Sequence, residues 1–120
     1  MTGPKEKAIH LGIIQALKLL AAPGVLYFHV AQNRMSARDG GYWKRMGVTP
    51  GIPDLQIIMP GKVGFLEIKT PKGRHSPEQK AMLAFLEASG CLVATVRSVS
   101  EAIAVLTSWG ALRGIVLEAA

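Results

Sequence analysis

Two carboxylates and a lysine stand close together in the middle of this chain. Asp54 closes the run Gly51-Ile52-Pro53-Asp54, and thirteen residues later comes the triplet Glu67-Ile68-Lys69. Val63 to Thr70 alternates like a strand, so residues two apart share a face, and Glu67 and Lys69 project together with Phe65 while Leu66 and Ile68 point the other way. Asp54 opens the apolar run Leu55 to Met59, and Pro60-Gly61 suits the centre of a tight turn, so antiparallel pairing returns the chain toward Asp54. Two carboxylates meeting at one end of a sheet suit a hard divalent cation such as Mg²⁺, which takes a few carboxylate oxygens and completes its shell with water and substrate phosphate. A nearby ammonium can position or help deprotonate an attacking water. The spacing therefore predicts a hairpin that carries a metal site.

A Glu-x-Lys on a strand is, taken alone, usually a solvated ion pair of little energetic value. Here it is embedded in a longer ordered pattern: Gly51-Ile52-Pro53-Asp54, then Glu67-Ile68-Lys69-Thr70, then Gly73-Arg74 and Ser76-Pro77-Glu78-Gln79. These residues resemble the VRR-NUC nucleases, a branch of the PD-(D/E)xK superfamily, and the resemblance runs from about Glu6 to Trp109. It implies a restriction-endonuclease-like α/β core and a phosphodiester hydrolysis that leaves a 5′ phosphate and a 3′ hydroxyl. It implies Asp54 and Glu67 as ligands of Mg²⁺ or Mn²⁺, with the carbonyl of Ile68 as a main-chain oxygen. Lys69 matches the lysine that orients or activates the attacking water. Glu6 matches a first-helix glutamate that joins the site, and Gln79 the glutamine that follows the triplet. Family members often carry a glutamine one turn after that glutamate. This chain has His10 there, and Gln15 is the other residue that could align.

Family members of the compact, stand-alone phage or bacterial type suggest a structure-selective endonuclease without organic cofactor. A homodimer presenting two sites to branched DNA such as a Holliday junction is the leading expectation. Flap or splayed-arm cleavage, an RNA-directed nuclease and a non-catalytic nucleic-acid-binding module are the alternatives. The last of these should lack a motif residue, whereas Asp54, Glu67 and Lys69 are all present.

Nucleic-acid contacts are expected from two segments. Arg34, Arg38, Lys44 and Arg45 are interleaved with Tyr42 and Trp43, a mixture that tracks phosphates while an aromatic ring stacks on an unpaired base. Lys72 and Arg74 stand just before His75 in the link after the triplet. His29 and His75 belong to no metal-ligand spacing, and a histidine in a strand is more often packed than ligating.

Periodicity supplies the frame. Ile9, Ile13, Leu17 and Leu20 form one helical face between Pro4 and about Ala22, ended by Pro23-Gly24. Val25 to Ala31 reads as a strand, with Val25, Tyr27 and His29 on one side. Gln32 to Pro50 is a long polar connection. Ser76, Pro77 and Gln79 signal a capped helix to about Ser89, Cys91 to Val96 a strand, and Ser98 with Glu101 a second capping box before a helix through Leu106. The order αβββαβα predicts a central mixed sheet flanked by helices.

With 120 residues, the chain is expected to form a single domain, its core at about 5–109 and residues 110–120 unassigned. The net charge of +6, from 14 Lys and Arg against 8 Asp and Glu, suits a polyanionic partner. One cysteine, Cys91, excludes a disulfide framework or zinc-finger cluster, and its place at a strand start predicts a buried thiol. His10, Gln15 and Lys18 interrupt the apolar N-terminal stretch, so it reads as an amphipathic helix rather than an export signal or membrane span. A cytoplasmic setting follows as the expectation.

Overall fold

The computed structural model describes residues 3–30, 41, 42 and 44–114. Its elements run α1 (Pro4–Leu20), β1 (Leu26–His29), β2 (Leu55–Met59), β3 (Lys62–Ile68), α2 (Pro77–Ala88), β4 (Leu92–Val96) and α3 (Val99–Trp109). This is the order predicted by periodicity, with α3 one turn longer than Leu106. The strands form one sheet in the order β1-β2-β3-β4, antiparallel except for the parallel pair β3–β4, which α2 connects.

The central hairpin closes as expected. Met59 pairs with Lys62 across Pro60-Gly61, and Gly61 has φ of 77°, the left-handed position that follows Pro in a type II turn. One sheet face carries Leu55, Ile57, Leu66, Ile68 and Val96, which pack with Ile13 and Leu17 of α1 and Ala102, Leu106 and Trp109 of α3. Full burial of each Ile or Leu stabilises by roughly 1.5–3 kcal/mol. Close approach over this face depends on Gly64, because a Cβ there would lie 2.5 Å from the Trp109 ring. The opposite face is thinner: Leu26 and Phe28 of edge strand β1 remain 57% and 39% exposed, and α2 has no buried residue.

Helix ends follow their sequence signals with one correction. Ser76 accepts from Gln79 N and Gln79 Oε1 accepts from Ser76 N, a complete capping box. At α3 only half of the box forms: Ser98 Oγ accepts from Glu101 N, but Glu101 Oε1 takes the amide of Arg97, one residue before the cap. The extended backbone of Ser98 brings the preceding amide, not its own, within reach of the carboxylate. Cys91 also differs from expectation, being half-buried just ahead of β4 rather than enclosed in it. Beyond α3, Ala111 and Leu112 enter the core, and Leu112 bridges Ala21. No helix among the described residues is long and apolar enough to cross a membrane.

Candidate active site

Register sets the site. Leu55 opposes Leu66, so one step outward Asp54 faces Glu67 at the open end of the hairpin. Both flanking strands fix the aspartate. The Asp54 carbonyl accepts from Val30 N at 2.9 Å and from the His29 ring at 2.9 Å, and Asp54 Oδ2 accepts from Ile68 N at 2.8 Å. A carbonyl only accepts, so His29 carries its proton on Nδ1 in this arrangement. Asp54 is thus held by β1 through its backbone and by β3 through its side chain.

Glu67 is only 2% exposed, and its buried Oε2 has no hydrogen-bond partner among the described residues. Burial pushes its carboxyl up from the ordinary 4.5 to about 9, reinforced by a side-chain hydrogen bond and repulsion from Asp54, with Lys69 pulling the other way. Two ionised carboxylates cannot hydrogen-bond to each other, so the pair must hold a proton or a cation.

Glu6, from the first turn of α1, joins the same electrostatic group. Partial burial raises its pKa, Asp54 raises it further and Lys69 lowers it. Glu6, Lys7, His10, Leu11, His29 and Asp54 line one open pocket of about 320 Å³. His10 packs edge-on against His29, with ring centroids 4.7 Å apart, and burial with His29 beside it lowers the His10 pKa. Gln15 is exposed farther along the helix and lines no part of this pocket.

The remaining predicted residues divide. Gln79 spends its carbonyl oxygen on the α2 cap. The His75 ring bonds Thr95 Oγ1 at 2.8 Å, and burial followed by Lys69, Arg97 and Lys80 lowers its pKa. Lys72 and Arg74, just before it in the chain, are exposed, and Lys44 and Arg45 are exposed in the basic segment. Arg34, Arg38 and Trp43 lie outside the described residues.

Two contributors carried no adequate sequence signal. His29 reaches Asp54 only because β1 pairs with β2, a contact spanning 25 residues. Arg97 ties down the segment after β3, its Nη1 donating to the carbonyls of Thr70 and Gly73.

Comparison with known proteins agrees with this fold. The family model for the VRR-NUC domain matches residues 24–100, spanning β1 through β4 and the start of α3. A solved structure titled "VRR_NUC domain protein" is similar at a TM-score of 0.76 and 20% identity, covering 94% of this chain and 93% of that one. Another, titled "VRR_NUC domain", is similar at a TM-score of 0.62 and 20% identity, covering 89% of this chain and 99% of that one. A search of curated proteins found no match. Sequence match and shared fold agree: this chain belongs to the VRR-NUC family of nuclease domains.

Proposed function

We propose that the chain acts as one domain, a metal-dependent, structure-selective endonuclease that hydrolyses phosphodiester bonds in branched DNA, with four-way junctions as the leading substrate and a homodimer as the acting species. The observation carrying this reading is the pairing of half-buried Asp54 with buried Glu67, whose Oε2 has no hydrogen-bond partner among the described residues. Its donor set is hard oxygen, which fits Mg²⁺ or Mn²⁺. Among the described residues no three His, Cys, Asp or Glu side chains form a cage by themselves. Mg²⁺ keeps several waters and takes substrate phosphate oxygens, so it can be held by one or two protein carboxylates. Asp54 and Glu67 are the proposed ligands, with the Ile68 carbonyl and Glu6 as additional oxygens. When bound, such an ion supplies charge stabilisation at the scissile phosphate and a more acidic water.

The chain's own residues supply the rest. Lys69, electrostatically coupled to Glu67 and Glu6, orients the attacking water and helps it lose its proton. The Ile68 amide keeps Asp54 from rotating away as charge builds. Gln79, at the start of α2, keeps its amide nitrogen available for phosphate or water while its oxygen serves the cap. Lys72, Arg74 and His75, together with the basic residues Arg34, Arg38, Lys44 and Arg45 and with Trp43, are the proposed contacts to the flanking backbone, where phosphate contacts set position and carry no sequence information. A small domain has little surface for distinguishing DNA shapes, and two-fold pairing presents two sites to a two-fold junction. Such an enzyme belongs to recombination or repair in the cytoplasm of a bacterial or phage-infected cell.

The test is cleavage of labelled four-way junction, 5′ flap, splayed-arm and linear duplex DNA, with a matched RNA competitor, in Mg²⁺ or Mn²⁺. Paired symmetric junction nicks that vanish in Glu67→Ala are expected. Cleavage retained in Glu67→Ala refutes the site, and preferential cleavage of the RNA refutes the substrate class.

A further inference from the structure

The segment that follows β3 holds Lys69, Lys72, Arg74 and His75 and leads directly into the helix bearing Gln79. It is too short to own a core, and loops of this composition are ordinarily mobile. Here three consecutive residues at the end of β4 hold it. Val96 O accepts from Lys69 N at 3.0 Å. Arg97 Nη1 donates to Thr70 O and Gly73 O, each at 2.7 Å. Thr95 Oγ1 bonds His75 Nε2 at 2.8 Å. Between the two carbonyls that Arg97 binds the chain makes a tight turn, Gly73 N to Thr70 O at 3.0 Å, in which a Cβ on Gly73 would crowd Thr70 Oγ1 at 3.1 Å.

One nitrogen of Arg97 therefore joins both ends of this turn. Nη1 carries two protons, one for each carbonyl, and charge-assisted bonds of this kind are about twice as strong as neutral ones. Glu101 is engaged by the Arg97 amide, so the residue is fixed at its backbone as well as at its tip. We propose that Arg97 is a positioning residue for hydrolysis: by clamping Thr70 and Gly73 it holds Lys69 in register with Glu67 and makes the Lys72–His75 segment part of the same rigid body. This rests on the reading of Lys69 as a residue of the hydrolytic site. Arg97 touches no reacting atom itself.

The experiment is a double-mutant cycle of Arg97→Ala and Lys69→Ala, with single-turnover cleavage of the four-way junction in Mg²⁺, junction affinity and amide hydrogen exchange all measured. Arg97→Ala should slow cleavage by about 10- to 100-fold, the cost of displacing a reacting group by roughly 1 Å. In the Lys69→Ala background the same change should cost less than about 3-fold, because groups acting through one another are not additive. Arg97→Lys, keeping the charge without the planar fork, should recover part of the rate. Exchange should quicken at the Gly73 and Lys69 amides, which the turn and β4 protect, and stay unchanged in α1. Equal losses in both backgrounds, or unchanged exchange at Gly73 and Lys69, would overturn the proposal. If the wild-type chain cleaves nothing, the nuclease reading fails, and the exchange measurement still decides whether Arg97 holds this segment.

Discussion

Glu67→Gln should make the metal-free protein more stable at alkaline pH. The Glu67 carboxyl is raised from 4.5 to about 9 by burial and by Asp54, so the folded protein keeps a proton that the unfolded chain releases. The sign is that of a raised carboxyl: stability is fully present below pH 4.5 and is lost as pH rises through about 9. Between pH 7 and 9 the unfolded chain favours the ionised form by two further pH units, and the folded state begins to titrate near the top. At 1.36 kcal/mol per unit, the loss over this window is roughly 2 kcal/mol. For a domain of this size that corresponds to a fall in Tm on the order of 5–10 °C.

The window avoids His10 and His75, whose pKa values are lowered from 6.5, and Glu6 is present in both proteins and cancels. Calorimetry in EDTA at pH 7, 8 and 9 would show wild type losing Tm steeply and Glu67→Gln losing little, since a neutral amide has no proton to release. Parallel slopes in the two proteins would refute the buried-proton account. Adding Mg²⁺ or Mn²⁺ should flatten the wild-type slope and leave the variant unchanged.

Other expectations are direct. Lys69→Ala should lower single-turnover cleavage by about 10²–10⁴-fold, the usual worth of a positioned acid–base group, while junction affinity holds. Lys72→Ala with Arg74→Ala should reduce the slope of log affinity against log salt by about 0.9 for each phosphate no longer neutralised, and an unchanged slope removes this segment from the interface. Gly64→Ala should destabilise by about 1–3 kcal/mol in urea unfolding, because the new methyl overlaps the Trp109 ring. Ser98→Ala should cost about 1 kcal/mol through loss of the bond to Glu101 N.

Local chemistry made most of the frame legible from sequence. The α1 apolar spacing, the Pro60-Gly61 turn and the Ser76-Pro77-Gln79 cap each act within a few residues, so each element appears where its signal lies. The hairpin even places Asp54 against Glu67, because a two-residue turn and a period of two leave little freedom in register. Contacts between distant segments were not legible. His29 meets the Asp54 carbonyl across a strand pair, Arg97 reaches back 27 and 24 residues to Thr70 and Gly73, and Trp109 covers Gly64. The shifted bond from Arg97 N to Glu101 depends on the backbone angles at Ser98, which composition does not set.

The sequence by itself determined which residues could do the chemistry, because carboxylate, lysine and turn types carry their properties wherever they lie. Only the tertiary structure decided their state. Burying Glu67 between β2 and β4, with Asp54 opposite and no donor to Oε2 among the described residues, turns an ordinary acidic side chain into one that must hold a proton or a cation.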